Sequence, residues 1–503
     1  MSQIRTGAVL SYISIFLTFA VGLIYTPILI RWLGQSDYGL YSLILSIASY
    51  LSLMDMGVGN AIVRYIARNR AIGDSKKESD LIGQFLLFFL SISVLTLIIG
   101  ITISMKAHDI FKDSLVSSDI DTAQIMIIIL TINFAVSFPL NVFSAVLQAY
   151  ERFIFLRLST IIRIISVPII TLIALSLGGR LISMTIITSS VNISILLLAL
   201  LYCKKIIRIR VTFSPISRDL RKEITAYAIL IFLTSIADKI YWQTDQILLG
   251  ILKNPEIVAI YAVAIQFVLI FISLSTALSS LFLPKVSKLV TEENHLPKLN
   301  KLFIGVSRLQ FFVLALAFSG FIVFGKEFII LWAGPSYEKA YSILIILMIP
   351  FFFDLVQNTG IVILQAKRLY LFRTISLVVC SLLNVFVSIP VIEYYGSTGT
   401  AIVTAFFVAV GNVLLLNFYY HYKVGLDIKL YWINITKILI PVLVLSIIVF
   451  VIKINFNLGA VGLFISIFFY TILYLGIMYV FSLNNNEKNY LKNLVKKAKK
   501  SSK

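Results

Sequence analysis

Leu147-Gln148-Ala149-Tyr150-Glu151-Arg152-Phe153-Ile154-Phe155-Leu156-Arg157 returns later in the chain as Leu364-Gln365-Ala366-Lys367-Arg368-Leu369-Tyr370-Leu371-Phe372-Arg373, one residue shorter. Upstream, Asn141 matches Asn358 at the same offset of 217 that relates Gln148 to Gln365. Both copies follow an apolar run and open a basic turn. A fixed internal period marks a duplicated structural unit, so the chain reads as two related halves. Gly34-Gln35-Ser36-Asp37-Tyr38-Gly39-Leu40-Tyr41 has a looser echo ahead of Tyr261 in the second half.

Composition says what kind of unit is duplicated. Of 503 residues, 59% are hydrophobic and 13% charged, against about 25% charged in a soluble domain. A bilayer crossing takes about 20 mostly apolar residues. The apolar runs then give fourteen spans, at 8–30, 38–62, 81–104, 122–149, 158–177, 181–202, 224–250, 257–283, 302–325, 341–365, 374–393, 399–420, 433–452 and 459–482. The expected fold is an all-α integral membrane protein of about fourteen transmembrane helices, with two parallel six-helix bundles followed by two more helices. The expected division is 1–202 for the first bundle, 203–223 for a linker and 224–422 for its repeat, then 423–482 for helices 13 and 14 and 483–503 for a basic tail. The run 8–30 exceeds the ~7–15 apolar residues of a signal-peptide core and reads as a retained first span. The tail, with Asn484-Asn485-Asn486 followed by seven lysines, reads as solvated or in contact with anionic lipid.

The chain carries 43 Lys and Arg against 23 Asp and Glu, a net charge of +20. Thirty-one of those 43 fall at the N-terminus, in the even-numbered loops and in the C-terminal tail. Eight fall in odd-numbered loops, and Arg163, Lys239, Arg308 and Lys437 lie inside spans. The excess is therefore a topology signal that places both termini in the cytoplasm, and no nucleic-acid partner is expected. Six crossings per half make the repeats parallel, an arrangement found in transporters. Cys203, Cys380, His108, His295 and His421 lack ligand spacing, so no metal, cofactor or disulfide is expected. No loop is long enough for a catalytic domain outside the membrane.

The stretch Tyr25-Thr26-Pro27-Ile28-Leu29-Ile30-Arg31-Trp32-Leu33-Gly34-Gln35-Ser36-Asp37-Tyr38-Gly39-Leu40-Tyr41, the segment Asp55-Met56-Gly57-Val58-Gly59 and the repeated Leu-Gln-Ala turn resemble the polysaccharide-transporter flippases. These include O-antigen flippases and belong to the multidrug, oligosaccharidyl-lipid and polysaccharide (MOP) exporter superfamily. The resemblance covers helices 1–12. It implies a V-shaped pair of bundles in the bacterial cytoplasmic membrane and a lipid-linked oligosaccharide as cargo. Membrane lipids and other polysaccharide assembly proteins are the further partners implied. It implies transport rather than catalysis. Two alternatives stand beside it: a multidrug exporter of the same superfamily, and a membrane polysaccharide polymerase or ligase.

A charge inside a span costs at least about 2.5–3.5 kcal/mol and marks a candidate site. In helix 7, Asp238, Tyr241 and Asp245 share one face, beside Lys239, Gln243 and Gln246. That surface suits a cavity, or a structural pairing with a partner helix. Asp55, Asp238, Asp245 and Asp354 are the candidates for coupling to H+ or Na+. Asp55, next to Gly57 and Gly59, equally suits a helix break. Ser137, Asn141, Ser144 and Gln148 form a stripe on helix 4 that Asp354, Asn358 and Gln365 partly repeat on helix 10. Such groups suit sugar hydroxyls in a cavity, or hydrogen bonds between helices. Arg163 and Arg308, and Arg64 at the edge of helix 2, either snorkel to the interface or hold a phosphate with paired donors. Lys239→Ala is expected to lower translocation in a vesicle assay while membrane insertion stays intact. Full transport by that variant removes Lys239 from the site.

Overall fold

The computed structural model describes residues 3–215, 218–454, 459–484 and 487–488. The tail beyond 488, read above as basic and solvated, lies outside the described residues. Among the described residues every element is helical. The first eight α-helices are α1 Gln3–Leu51, α2 Val58–Ile72, α3 Ser75–Phe111, α4 Ser117–Ala149, α5 Phe153–Ser176, α6 Leu181–Tyr202, α7 Arg218–Leu252 and α8 Pro255–Ser280. They are followed by α9 Leu283–Val290, α10 His295–Ala333, α11 Glu338–Val356, α12 Thr359–Ala366, α13 Leu371–Val408, α14 Leu416–Tyr419, α15 Ile428–Ile454 and α16 Ala460–Ile477.

Eleven stretches among the described residues are long and apolar enough to cross a membrane. Two of them, Thr6–Ile72 with 67 residues and Leu371–Val424 with 54, are too long for one crossing, since about 20 residues suffice. Each bends at a glycine with positive φ, Gly34 (φ 80°) and Gly396 (φ 56°). Counting each as two and adding the 35-residue α7 gives the fourteen crossings expected. Large apolar side chains on their outer faces are open, as with Phe468 at 63% exposure. A water-facing surface would not present so many, whereas hydrocarbon does not penalise them.

The chain forms two compact units, residues 1–262 with 385–400, and residues 263–384 with 401–503. In the first, the core is built by α2, α3, α4 and α6 around Tyr65, Phe85, Phe89, Phe138, Val142 and Leu147. α7 belongs to this unit and packs along α1. In the second, aromatic rings fill the centre, with Phe352 5.2 Å from Phe311 and 5.0 Å from Phe318, and Phe303 5.0 Å from Tyr431.

The duplicated motif folds the same way twice. After α4, the Glu151 N–H donates to the Gln148 carbonyl (3.0 Å) and the Arg152 N–H to the Leu147 carbonyl (2.9 Å). After α12, Arg368 donates to Gln365 (3.2 Å) and Leu369 to Leu364 (2.9 Å). The residues that turn the chain, Glu151 (φ 57°) and Arg368 (φ 58°), are both left-handed. This is the Schellman C-cap, which satisfies carbonyls that a helix end leaves open.

The end of the last crossing is pinned inside the second unit. Arg308, 5% exposed on α10, donates from Nε to Glu487 Oε1 (2.8 Å) and from Nη2 to Glu487 Oε2 (2.8 Å). Nη2 also donates to the Ser482 carbonyl (2.7 Å). Burial of Glu487 pushes its carboxyl up, but the Arg308 fork and the Asn484 N–H override that and hold it below the usual carboxylate range. A depressed carboxylate contributes stability above its unfolded pKa and loses it as pH falls through the folded one. Glu487→Gln should lower stability by about 2 kcal/mol, less than the ~3–5 of a fully buried pair. The same variant should flatten the acid limb of the stability profile, checked by thermal unfolding in detergent across pH.

Candidate functional site

In the first unit α4 and α5 form a helical hairpin closed by the Schellman turn. They touch little beyond that turn, while α6 packs along both. Between them lies a cavity of about 450 Å³. α4 contributes Asn141, Ser144 and Gln148, at i, i+3 and i+7 on one face. α5 contributes Arg157, Ser159, Thr160 and Arg163, and α6 backs the space with Ile195, Leu196 and Ala199.

The remaining wall comes from a break in the second crossing. α1 ends at Leu51, Ser52–Asp55 form a 3-10 turn, and α2 restarts at Val58. Met56 (φ 50°) and Gly57 (φ 68°) are both left-handed, a conformation that glycine adopts at little cost. The break directs the open N–H end of α2 and the Asp55 carboxylate to one place, and Asp55, Gly59 and Asn60 line the cavity. A Cβ built at Gly59 would lie 3.7 Å from Asp55 Oδ2. The partial positive charge of a helix N-terminus offsets a carboxylate there. Irregular backbone at membrane depth is tolerated where it lines such a cavity.

Asp55, Asn141, Gln148 and Arg163 are thus brought together, with Ser144 from the same stripe. Among the described residues, the side chains of Asn60, Asn141, Gln148, Arg157 and Arg163 have no hydrogen-bond or ion-pair partner, leaving two guanidinium forks and three amides for a guest. Arg157 and Arg163 stand six residues apart on α5, about 9 Å along the axis. Gln148 and Asn141 face them at similar heights across the hairpin.

The other candidates stand elsewhere. On α7, Asp245 Oδ2 accepts from Tyr261 (2.6 Å), Gln246 Oε1 accepts from Ser46 (2.9 Å), and Thr244 bonds Tyr50. Tyr50 also donates to the Lys239 carbonyl (3.4 Å). The polar face of α7 is therefore a seam against α1 and α8. Along it Asp238 is exposed, Lys239 and Gln243 are half-buried and Tyr241 is buried. Arg64 is exposed on α2, its guanidinium 5.7 Å from the Tyr65 ring. Arg308 belongs to the Glu487 clamp.

In the second unit Asp354 and Asn358 of the repeated stripe are committed to hydrogen bonds between helices. Asn358 donates to Ser275 (3.1 Å) and Ser279 (3.2 Å), Asn412 donates to Asp354 (3.0 Å), and Gln357 donates to the Asn412 carbonyl (2.7 Å). Gln365 is exposed. Arg157, Asn60, Ser159 and Thr160 were not singled out from the sequence. Arg157 counts there as a topology charge, and six residues place it about 120° around α5 from Arg163, so helical spacing gives no signal for it.

The two asparagines of the repeat should respond differently. Asn358→Ala should lower stability by about 1–2 kcal/mol, the value of lost interhelical hydrogen bonds. Asn141→Ala should stay within about 0.5 kcal/mol, the usual range for a position without buried partners. Denaturant titration of purified protein checks both, and equal losses would contradict the assignment.

The family model described as polysaccharide biosynthesis protein matches residues 4–290, more than half of the 503. No curated protein matches the chain. Among solved structures, the lipid II flippase MurJ in an inward closed conformation superposes with a TM-score of 0.75 at 17% identity, covering 95% of this chain and 98% of that one. An inward-facing multidrug resistance MATE transporter of the MOP superfamily gives 0.67 at 15%, covering 83% and 95%. A MOP superfamily transporter from Pyrococcus furiosus, noted for reversed polarity of its binding pocket, gives 0.54 at 16%, covering 82% and 94%. At these identities the likenesses show the fold. This multi-pass membrane chain belongs to the polysaccharide biosynthesis protein family and has the fold of the MOP superfamily.

Proposed function

We propose that the chain is a flippase. Its cargo would be a polyprenyl-diphosphate-linked oligosaccharide, an O-antigen or other surface polysaccharide unit. It would move this cargo from the cytoplasmic to the outer leaflet of the bacterial inner membrane by alternating access. No covalent bond is made or broken, so it is not an enzyme.

The observation that carries this reading is the unspent polar lining of the cavity in the first unit. A diphosphate and a sugar cannot cross about 30 Å of hydrocarbon bare. Guanidinium forks match phosphate oxygens in pairs, which favours Arg157 and Arg163 as the diphosphate contacts. Asn60, Asn141 and Gln148 each offer a donor and an acceptor to sugar hydroxyls. Asp55, at the break, is the group in this cavity through which H+ or Na+ could couple to the cycle. Two arginines against one aspartate oppose a lipophilic cation, which disfavours the multidrug reading. The excess of basic residues on one side supports cytoplasmic termini.

Replacing one arginine removes a charge-assisted hydrogen bond worth about 1.5–3 kcal/mol, which converts to roughly tenfold or more in rate. Arg163→Gln should therefore slow translocation of a lipid-linked oligosaccharide about tenfold in proteoliposomes, with insertion and unfolding unchanged. Wild-type rates in Arg157→Gln, Arg163→Gln and the double variant would remove the cavity as the site. Transport of an organic cation in place of the sugar lipid would move the chain to the exporters.

A further inference from the structure

The chain leaves α6 through a π-helical turn, Cys203–Ile207, and continues without helix from Arg208 to Pro215. Its side chains alternate from Ile207 to Val211. Ile207, Ile209 and Val211 pack on the core of the first unit, while Arg208 and Arg210 are exposed. A period of two is that of an extended strand with one face buried.

This strap is fastened to the start of α3. The Thr212 N–H donates to the Ser79 carbonyl (3.2 Å), Thr212 Oγ1 donates to the Asp80 carboxylate, and Gln84 Nε2 donates to the Ser214 carbonyl (2.9 Å). The approach depends on Gly83, where a Cβ would stand 2.0 Å from the Thr212 carbonyl oxygen. Residues on both sides of the α3 contact are thereby held in place.

Its level in the membrane follows from the helices that it joins. α6 is apolar up to Tyr202, and the apolar part of α3 begins at Leu81, next to the anchoring Ser79 and Asp80. The strap therefore runs along the end of two crossings, at the depth of the lipid headgroups. There it presents Lys204, Lys205, Arg208 and Arg210, all exposed. None of the four is ion-paired among the described residues. Two large apolar side chains stand among them, Ile206 at 58% and Phe213 at 59% exposure. Cations mixed with an aromatic and an aliphatic residue form the surface that binds the headgroup and acyl boundary of an anionic leaflet. An acidic protein partner would match the cations but not the apolar pair at this depth.

We infer that Cys203–Pro215 is a docking surface for anionic phospholipid, with Lys204, Lys205, Arg208 and Arg210 on lipid phosphates and Ile206 and Phe213 in the acyl boundary. The surface is independent of the cargo. It would tie the segment that follows the first six crossings to the composition of the leaflet.

A test places a fluorophore at Phe213→Cys in the full-length chain, with Cys203 and Cys380 replaced by alanine. The protein is reconstituted in phosphatidylcholine vesicles containing headgroup-nitroxide phosphatidylglycerol or, separately, headgroup-nitroxide phosphatidylcholine. Quenching by the glycerol lipid should exceed that by the choline lipid about fivefold at low salt, as expected for about one cation's worth of attraction. High salt should remove the excess, and so should Lys204→Gln/Lys205→Gln/Arg208→Gln/Arg210→Gln. Gly83→Val, which keeps every charge but crowds Thr212 off α3, should reduce it as well. Equal quenching by both lipids in the parent protein would overturn the inference. So would full excess in the charge-neutral variant or in Gly83→Val. Soluble polyglutamate displacing the glycerol lipid from the label would make the surface a protein-docking site instead.

Discussion

Inside hydrocarbon no water is available to satisfy a peptide group, so every backbone N–H and C=O must find its partner within the protein. The rest of this molecule is arranged around that rule. Fourteen crossings are helical because a helix satisfies its own backbone. At four places where helices stop or break, the open groups have an account. At Leu147–Arg152 and Leu364–Leu369 the open carbonyls are closed by Schellman bonds. At Val356–Thr359, between α11 and α12, buried amides and hydroxyls surround the break. At Ser52–Gly57 the break lines a polar cavity. The same rule that makes the fold regular therefore indicates where it does something other than span.

The two copies of the repeat have taken different routes from one plan. Asn141 and Asn358 occupy equivalent positions, yet Asn141 faces open space between α4 and α5, while Asn358 holds Ser275 and Ser279. Ser275 also accepts from Gln310, which in turn accepts from Thr359, so the second unit stitches α8, α10 and the break into one network. A polar side chain at depth has two stable outcomes, a partner helix or a hydrated space. One unit takes the first outcome at the repeated position and the other takes the second.

Much of this is readable in the sequence. Hydropathy and the offset of 217 suffice for the fourteen crossings and the paired turns, because both are properties of the chain taken alone. Asn141 and Gln148 are readable as candidates because helical spacing aligns them on α4, and Arg163 because it is a charge inside a span. Arg157 is hidden by its own position. At the mouth of a span a cation is expected for topology, which masks a second use. The polar row of α7 is the converse case. Asp245 and Gln246 are conspicuous in sequence, but the residues that engage them are ordinary ones, Tyr261 on the next helix and Ser46 200 positions away, and only packing brings them together.

The hairpin of α4 and α5 has a consequence for how such a protein diversifies. Apart from Asp55, Gly59 and Asn60 on the broken helix and the apolar backing of α6, the whole lining comes from one uninterrupted stretch between Asn141 and Arg163. The turn inside that stretch is held by main-chain hydrogen bonds that do not depend on which side chains flank it. Recombination or design can therefore exchange the stretch as a cassette that rewrites the cavity wall, provided that Val142, Val146 and Leu147, which pack into the core with α2, α3 and α6, are kept.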